Sequence, residues 1–263
     1  MGTQQSPTFS DAPCVRRCIG ERGTLRQITL AISVVVLAAV PVLALARTPQ
    51  HGIRELTESG SFEIPPGVNQ IVVELWGAGG GGGGGAGAAV GAGPGGGGGG
   101  GGSGAYVRGA VTVTQGEMYV VSLGTAGRGG RGEGKRVTSP EPGTKGGDSS
   151  LRIGTRTIVT APGGQGGHTP RPLSSRGASG GMGGSLTSPD PSSLFRPGNS
   201  GGDGQNGGNP DMGLTPGGVA GRSVVGTIVP LGSFGGAGGK GGFFGEGGDD
   251  GLDGGRGVAI ISW

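Results

Sequence analysis

Short stretches after residue 60 concentrate apolar, β-branched and aromatic residues between polar turns, one of them alternating with a period of two, and each predicts a strand. The clearest is Gln70 to Trp76, QIVVELW, rich in β-branched and aromatic residues. Ser61 to Ile64 precedes it, cut off by the turn signal Pro65-Pro66-Gly67. Ala105 to Thr114 sets Tyr106, Arg108, Ala110 and Thr112 on one face and Val107, Val111 and Val113 on the other. After a turn at Gln115-Gly116, Glu117 to Leu123 is expected to return as its hairpin partner. Ser149 to Ile153 and Thr157 to Ala161 flank Gly154-Thr155-Arg156 and read as two more strands, and Gly257 to Trp263 as the last. Val224 to Leu231 is a further candidate. Strands of this length, each with one apolar face, predict an all-β fold: a small antiparallel β-sandwich.

A second period runs between the strands. From Gly235 to Gly257 every third residue is glycine without a break: Gly236, Gly239, Gly242, Gly245, Gly248, Gly251, Gly254 and Gly257. Three is the period of the polyproline II helix, and neither that of an α-helix nor that of a strand. One ridge of such a helix carries no Cβ, so neighbouring backbones can approach closely. Collagen is a poor match, because proline is absent from the run and the period is not kept along the chain. The expectation is several short polyglycine II helices packed side by side, with Gly235–Gly257 as the organising stretch; the alternative is flexible linkers. The glycine tracts are long insertions into the strand frame, at 77–104, 124–148 and 162–255. Shorter registers repeat the pattern at Gly95, Gly98, Gly101 and Gly104, and at Gly124, Gly127 and Gly130. Polar, proline-bearing pieces at 168–176, 185–197 and 209–216 are expected to join neighbouring helices.

The N-terminus has a different character. Arg16, Arg17, Arg22 and Arg26 precede an apolar run from Ile28 to Ala46, which ends in Ala44-Leu45-Ala46. That ending fits a signal peptidase site, with cleavage after Ala46. The run is also long enough to span a bilayer as an uncleaved helix, since roughly 20 apolar residues suffice. Either way the basic residues hold the start of the chain in the cytoplasm and send the rest out. The resulting plan is a cytoplasmic basic segment at 1–27, a signal or transmembrane helix at 28–46, a linker at 47–58 and a glycine-rich domain at 59–263.

Composition narrows the chemistry. Of 263 residues, 72 are glycine and 18 proline, a share that flags low complexity when no period is present. The net charge is only +3, so the extreme charge that favours full disorder is missing. No basic run with interleaved aromatics suggests nucleic acid. The only cysteines, Cys14 and Cys18, lie before the apolar run, so no disulfide staples the exported part. Gly129 to Lys135, GGRGEGK, mimics a phosphate loop, but Arg136 stands where magnesium needs Ser or Thr. Nothing orients His168 for nucleophilic catalysis, and no cofactor or enzymatic activity is expected. Glu246, Asp249, Asp250 and Asp253 form an acidic cluster; Asp249, Asp250 and Asp253 are the calcium candidates, against the reading of solvated charges. GGDGQNGGN (201–209) half-resembles a calcium-binding nonapeptide, but has Asn206 and Gly208 at two key positions. Phe195, Arg196, Phe243 and Phe244 are the partner-contact candidates, because apolar and Arg groups in loops often anchor partners.

The ordered series SFEIPPGVNQIVVELWGAGGGGGGG, GGGGGGSGAYVRGAVTVTQGEMYVVSLG, GGDSSLRIG, TIVTAPGG and GGRGVAIISW resembles the bacterial and phage glycine-rich domain. Phage tail-fibre adhesins and the glycine-rich domain of anaplastic lymphoma kinase look distantly similar. The likeness covers Ser59 to Trp263 and implies a β-sandwich carrying a lattice of polyglycine II helices. In the adhesin relatives, loops at the lattice tip bind a surface receptor. This chain departs from them in its export signal. The leading expectation is an exported adhesion or receptor-binding module, at the cell surface or secreted, with a cell-surface protein or glycan as partner and the membrane as another through 28–46 if uncleaved. The alternatives are a structural coat or matrix protein and, less favoured, an ice-binding protein, for which Arg128, Arg131, Lys135 and Arg136 spoil a flat face of small side chains.

Overall fold

In the computed structural model, residues 51–88, 90, 91, 93–134, 138–186, 194–205, 215–222, 233–243 and 245–263 are described. They fall within one compact unit, Arg47–Trp263; Met1–Ala46 form a separate unit, and the signal or transmembrane helix expected at 28–46 lies outside the described residues. The strand expected at Val224 to Leu231 lies outside them too. Among the described residues, no helix is long and apolar enough to cross a membrane.

The described fold is all-β, in two antiparallel sheets. The first contains β1 (Ile53–Leu56), β9 (Val258–Ser262), β3 (Gln70–Trp76), β4 (Tyr106–Thr112) and β8 (Leu194–Arg196), in that order across the sheet. The second contains β2 (Gly60–Glu63), β5 (Met118–Ser122), β6 (Ser149–Ile153) and β7 (Arg156–Ala161). Ile71, Val73, Leu75, Val107, Ala259 and Ile261 of the first sheet share a buried core with Phe62, Tyr119, Val121 and Leu151 of the second. At its other face the first sheet buries Trp76 against Tyr106, ring centroids 4.9 Å apart. The Tyr106 hydroxyl donates to the buried Glu74 carboxylate at 2.8 Å, which Arg108 approaches at 3.6 Å.

Three details differ from the sequence expectation. β4 and β5 are not a hairpin: β4 pairs with β3 and β8, and β5 with β2 and β6. Their apolar faces, Val107 and Val111 on one and Tyr119 and Val121 on the other, meet across the core, so the turn at Gln115-Gly116 carries the chain from sheet to sheet. Gly116 takes φ +79°, open to glycine at little cost. Part of the stretch read as a linker is β1, which runs along β9 and is closed by reciprocal bonds between Gly52 and Trp263 at 2.9 and 3.0 Å. Its residues are mostly exposed, so it has no alternation to read. β8 interrupts the piece expected to be a plain connection at 185–197; three residues are too short to show a period.

The glycine tracts pack into an ordered bundle. Segment 77–88 leaves β3, and segment 95–105 returns antiparallel beside it and runs into β4. In segment 77–88 successive N–H groups address three neighbours in rotation. Gly77, Gly80, Gly83 and Ala86 donate to Ala105, Gly102, Gly99 and Gly96. Ala78, Gly81 and Gly84 donate to Gly147, Thr144 and Glu141. Gly79, Gly82, Gly85 and Ala88 donate to Gly255, Leu252, Asp249 and Glu246. Its carbonyls accept from three more: Gly127, Gly130 and Glu133; Gly164 and Gly167; and Gly236, Gly239 and Gly242. Six neighbours thus surround the segment. Segment 95–105 is surrounded likewise, by 77–88, 162–174, 177–184, 198–205, 215–221 and 233–242.

This arrangement explains which glycines are obligatory. A Cβ on Gly83 would run into the His168 carbonyl, one on Gly98 into the Gly83 carbonyl, and one on Gly101 into the Gly80 carbonyl. The two encircled segments are the homopolymeric runs of the sequence, 79–85 and 95–102. The peripheral segments tolerate a side chain at every third residue, as with Thr125, Arg128 and Arg131, which are exposed. The Gly235–Gly257 run, expected to organise the chain, is two edge segments. It reverses at Gly245, which has φ +78°, and its two halves pack on one another through Asp249 N–H to Lys240 O and Leu252 N–H to Ala237 O, both 2.8 Å. The unbroken register survives the turn, which hides it from a count of glycines.

Replacing Gly98 with Ala is expected to cost about 1–3 kcal/mol through overpacking. Gly60→Ala, where a Cβ meets nothing within 4 Å, should stay within about 0.5 kcal/mol of the parent; denaturant unfolding of both variants checks the contrast. Burial, and then the hydrogen bond to Glu117, push the Tyr119 phenol above its ordinary value of 10.0. The folded state therefore holds that proton more tightly than the unfolded chain, and the stability it contributes is complete below the ordinary value and lost as pH rises through the folded one. Unfolding measured above about pH 10 should show this alkaline decline shrink in Tyr119→Phe.

Candidate functional site

The bundle has two ends. At one, its segments run into the strands: Gly77 follows Trp76, Ala105 precedes Tyr106, Gly124 follows β5, and Gly257 precedes β9. At the other the chain direction reverses between the segments that end near 88, 133, 168 and 242 and those that begin near 95, 141, 177 and 247. These turns are remote in sequence, yet the lattice sets them side by side at its tip.

Glu133 ties three of them together. It is 7% exposed, and its Oε2 accepts from Gly87 N–H and from Leu173 N–H, both at 2.9 Å. Its own N–H donates to the Gly85 carbonyl. Leu173 is held at φ +52°, an uncommon setting for a branched residue, and the residue is 55% exposed. Gly87, Ala88, Glu133, Gly134, Leu173, Gly245, Glu246 and Gly247 line a concavity of about 540 Å³. Val90 stands beside it, 96% exposed. The sequence does carry a signal for Glu133. It falls where the register Gly124, Gly127, Gly130 calls for the next glycine, so it marks the residue at which the packed segment ends.

The four partner-contact candidates separate. Phe243 is half-buried in the turn at the tip, its carbonyl accepting from Glu246 N–H at 3.0 Å; Phe244 lies outside the described residues. Phe195 and Arg196 belong to β8, paired with Val107 and Tyr106 at the edge of the first sheet, away from the tip. Two of the calcium candidates have other work. Asp253 Oδ1 accepts from Gly129 N–H and Asp250 Oδ1 from Gly132 N–H, both at 2.7 Å. Asp249 falls on a different ridge of the same segment, with Glu246 and Leu252 at three-residue spacing. Asp148 and Asp203 serve Gly163 and Gly180 in the same manner. These carboxylates satisfy outward N–H groups that have no further segment to meet, a strong kind of hydrogen bond. Among the described residues no group of three or more His, Cys, Asp or Glu is placed to hold a metal ion. In the stretch that mimics a phosphate loop, the N–H groups of Gly130 and Glu133 are spent on Gly82 and Gly85.

Glu133→Ala would leave the N–H groups of Gly87 and Leu173 without their acceptor, a loss of about 1–3 kcal/mol. Glu133→Gln keeps an acceptor oxygen and should recover most of it. Amide exchange at Gly87 and Leu173, read alongside unfolding, is expected to quicken strongly in the Ala variant and weakly in the Gln variant.

No curated protein matches the chain. The sequence profile of the glycine-rich domain family matches residues 56–259, from the last residue of β1 to the second of β9, and so spans the bundle and the strands β2 to β8. The chain belongs to the glycine-rich domain family.

Proposed function

We propose that the chain is an exported, non-enzymatic binding module that presents the turns at the tip of a polyglycine II lattice to a partner at a cell surface. The single observation carrying this reading is the tip itself, where distant turns converge and Glu133 fixes them against the lattice end. Two facts favour polyglycine II helices for the segments. Their N–H groups rotate through three directions with a period of three, and none of the packed glycines has a positive φ. At about 3.1 Å per residue, segment 77–88 would be roughly 37 Å long. β3 adds about 23 Å. Gly52 and Trp263, bonded to one another, sit at the far end of the strands from the bundle. The tip would then stand about 60 Å from that point, well placed for contact with another surface.

Rigid display of a few exposed side chains is a known way to lower the entropic cost of binding. In a cell-binding assay on the displayed chain, Val90→Asp with Leu173→Asp should reduce binding at least several-fold. Leu252→Asp, on the side of the lattice, should leave it unchanged. If tip and side variants bind alike, or the parent binds no cell type, the coat or matrix reading takes its place.

A further inference from the structure

The tip has a second concavity, on the turn that joins segment 162–168 to segment 177–184. It measures about 350 Å³ and is lined by Thr169, Pro170, Arg171, Ser174, Arg176 and Gly177. Arg171 and Arg176 are both exposed, and neither forms an ion pair with a described residue. The turn beneath them is fixed from both sides. Ser174 O accepts from Gly96 N–H at 2.7 Å, which ties it to the encircled segment 95–105. Leu173 N–H is held by Glu133. Inside the turn, Ser174 N–H donates to Arg171 O, and Arg176 N–H to Ser174 Oγ, both at 3.1 Å. The nearby negative charge, Glu133, is buried and already accepts two N–H bonds, so it is turned inward on the backbone.

Two guanidiniums over a rigid, hydroxyl-bearing hollow suit an oxyanion. The guanidinium fork matches a carboxylate or sulfate with paired N–H bonds. Next to the hollow, Gln165 and His168 on one segment and Ser179 on the other are exposed at three-residue spacing. His168 N–H bonds to Ser179 O, so those two side chains stand at one level. That row offers donors and acceptors for sugar hydroxyls; its one ring is the His168 imidazole, and no series of aromatics in it would stack successive bases.

We infer that the Arg171–Arg176 hollow is a binding site for the carboxylate or sulfate of an acidic glycan. The inference rests on the tip-binding reading and gives it a ligand class. The test is equilibrium binding of the full chain to heparin (sulfated), polygalacturonate (carboxylated) and dextran (neutral), at two salt concentrations. Binding to heparin or polygalacturonate but not dextran is expected, weakened roughly tenfold by Arg171→Gln and by Arg176→Gln. Arg128→Gln with Arg131→Gln, equally charged but on the side of the lattice, should have no effect. Whichever acidic polymer binds identifies the oxyanion. Binding to neither overturns the inference, as does equal weakening by the lateral pair, or a single-stranded oligonucleotide that binds as well as both polymers. Thermal unfolding of each variant shows that the fold is kept. Cell binding that survives Arg171→Gln but is lost with Leu173→Asp overturns the glycan site and leaves the tip reading standing. Glycan binding without any effect of tip variants on cell binding does the reverse.

Discussion

The bundle depends on one constraint: a backbone N–H can reach a carbonyl of the adjacent segment only where no Cβ lies between them. Every other feature follows from satisfying it in three directions at once. The encircled segments have no free side and contain almost nothing but glycine, alanine and one serine. That serine, Ser103, accepts the Asn199 N–H on its hydroxyl at 2.8 Å while its own N–H donates to the Asn199 carbonyl, so the side chain adds to the backbone bonding at that point. Segments at the periphery have a free side, and their side chains are confined to it. The composition that looks like low complexity is therefore a map of how many neighbours each segment has.

Glycine gives up more chain entropy on ordering than any other residue, and it brings no side chain to bury. The strands supply what the glycines lack. Nearly every segment is anchored at one end to the sandwich or to a segment that is, which shortens the loops to be closed. Cross-links such as Ser149 Oγ to Trp76 O at 2.7 Å, with Gly124 N–H donating to the same hydroxyl at 3.0 Å, join sandwich and bundle where the two meet. The apolar core and the hydrogen-bonded lattice are thus two parts of one unit, each incomplete alone.

Much of the sandwich was legible because β3, β5 and β9 are dense runs of β-branched and other apolar residues, with β6 marked by the turn that follows it, and the structure adds little to their bounds. β1 was hidden because an edge strand with exposed residues needs no alternation, and β8 because three residues carry no pattern. The sheet-to-sheet crossing after β4 was missed because a turn signal says where a chain reverses and not in which sheet it continues. For the bundle, the period of three was visible but the ranking was inverted. The regular G-G-x run at 235–257 drew notice, whereas the featureless runs at 79–85 and 95–102 hold the centre. At the tip, aromatic residues suggested contacts from their type alone. Glu133, Arg171 and Arg176 were not singled out there, since their roles come from turns that only the fold brings together.

The rotation of N–H groups through three directions has a consequence for solubility. An exposed β-edge offers donors and acceptors at every second residue along one line, and another extended chain can zip onto it. A peripheral glycine segment shows any one direction only at every third residue, about 9 Å apart in the proposed polyglycine II geometry. A strand, whose bonding groups on one side recur every second residue, about 7 Å apart, falls out of step after one contact. Several of the outward groups are already taken by Asp148, Asp203, Asp250 and Asp253. A bundle held together almost wholly by backbone groups is in this way mismatched to the cross-β pairing that such groups would otherwise invite.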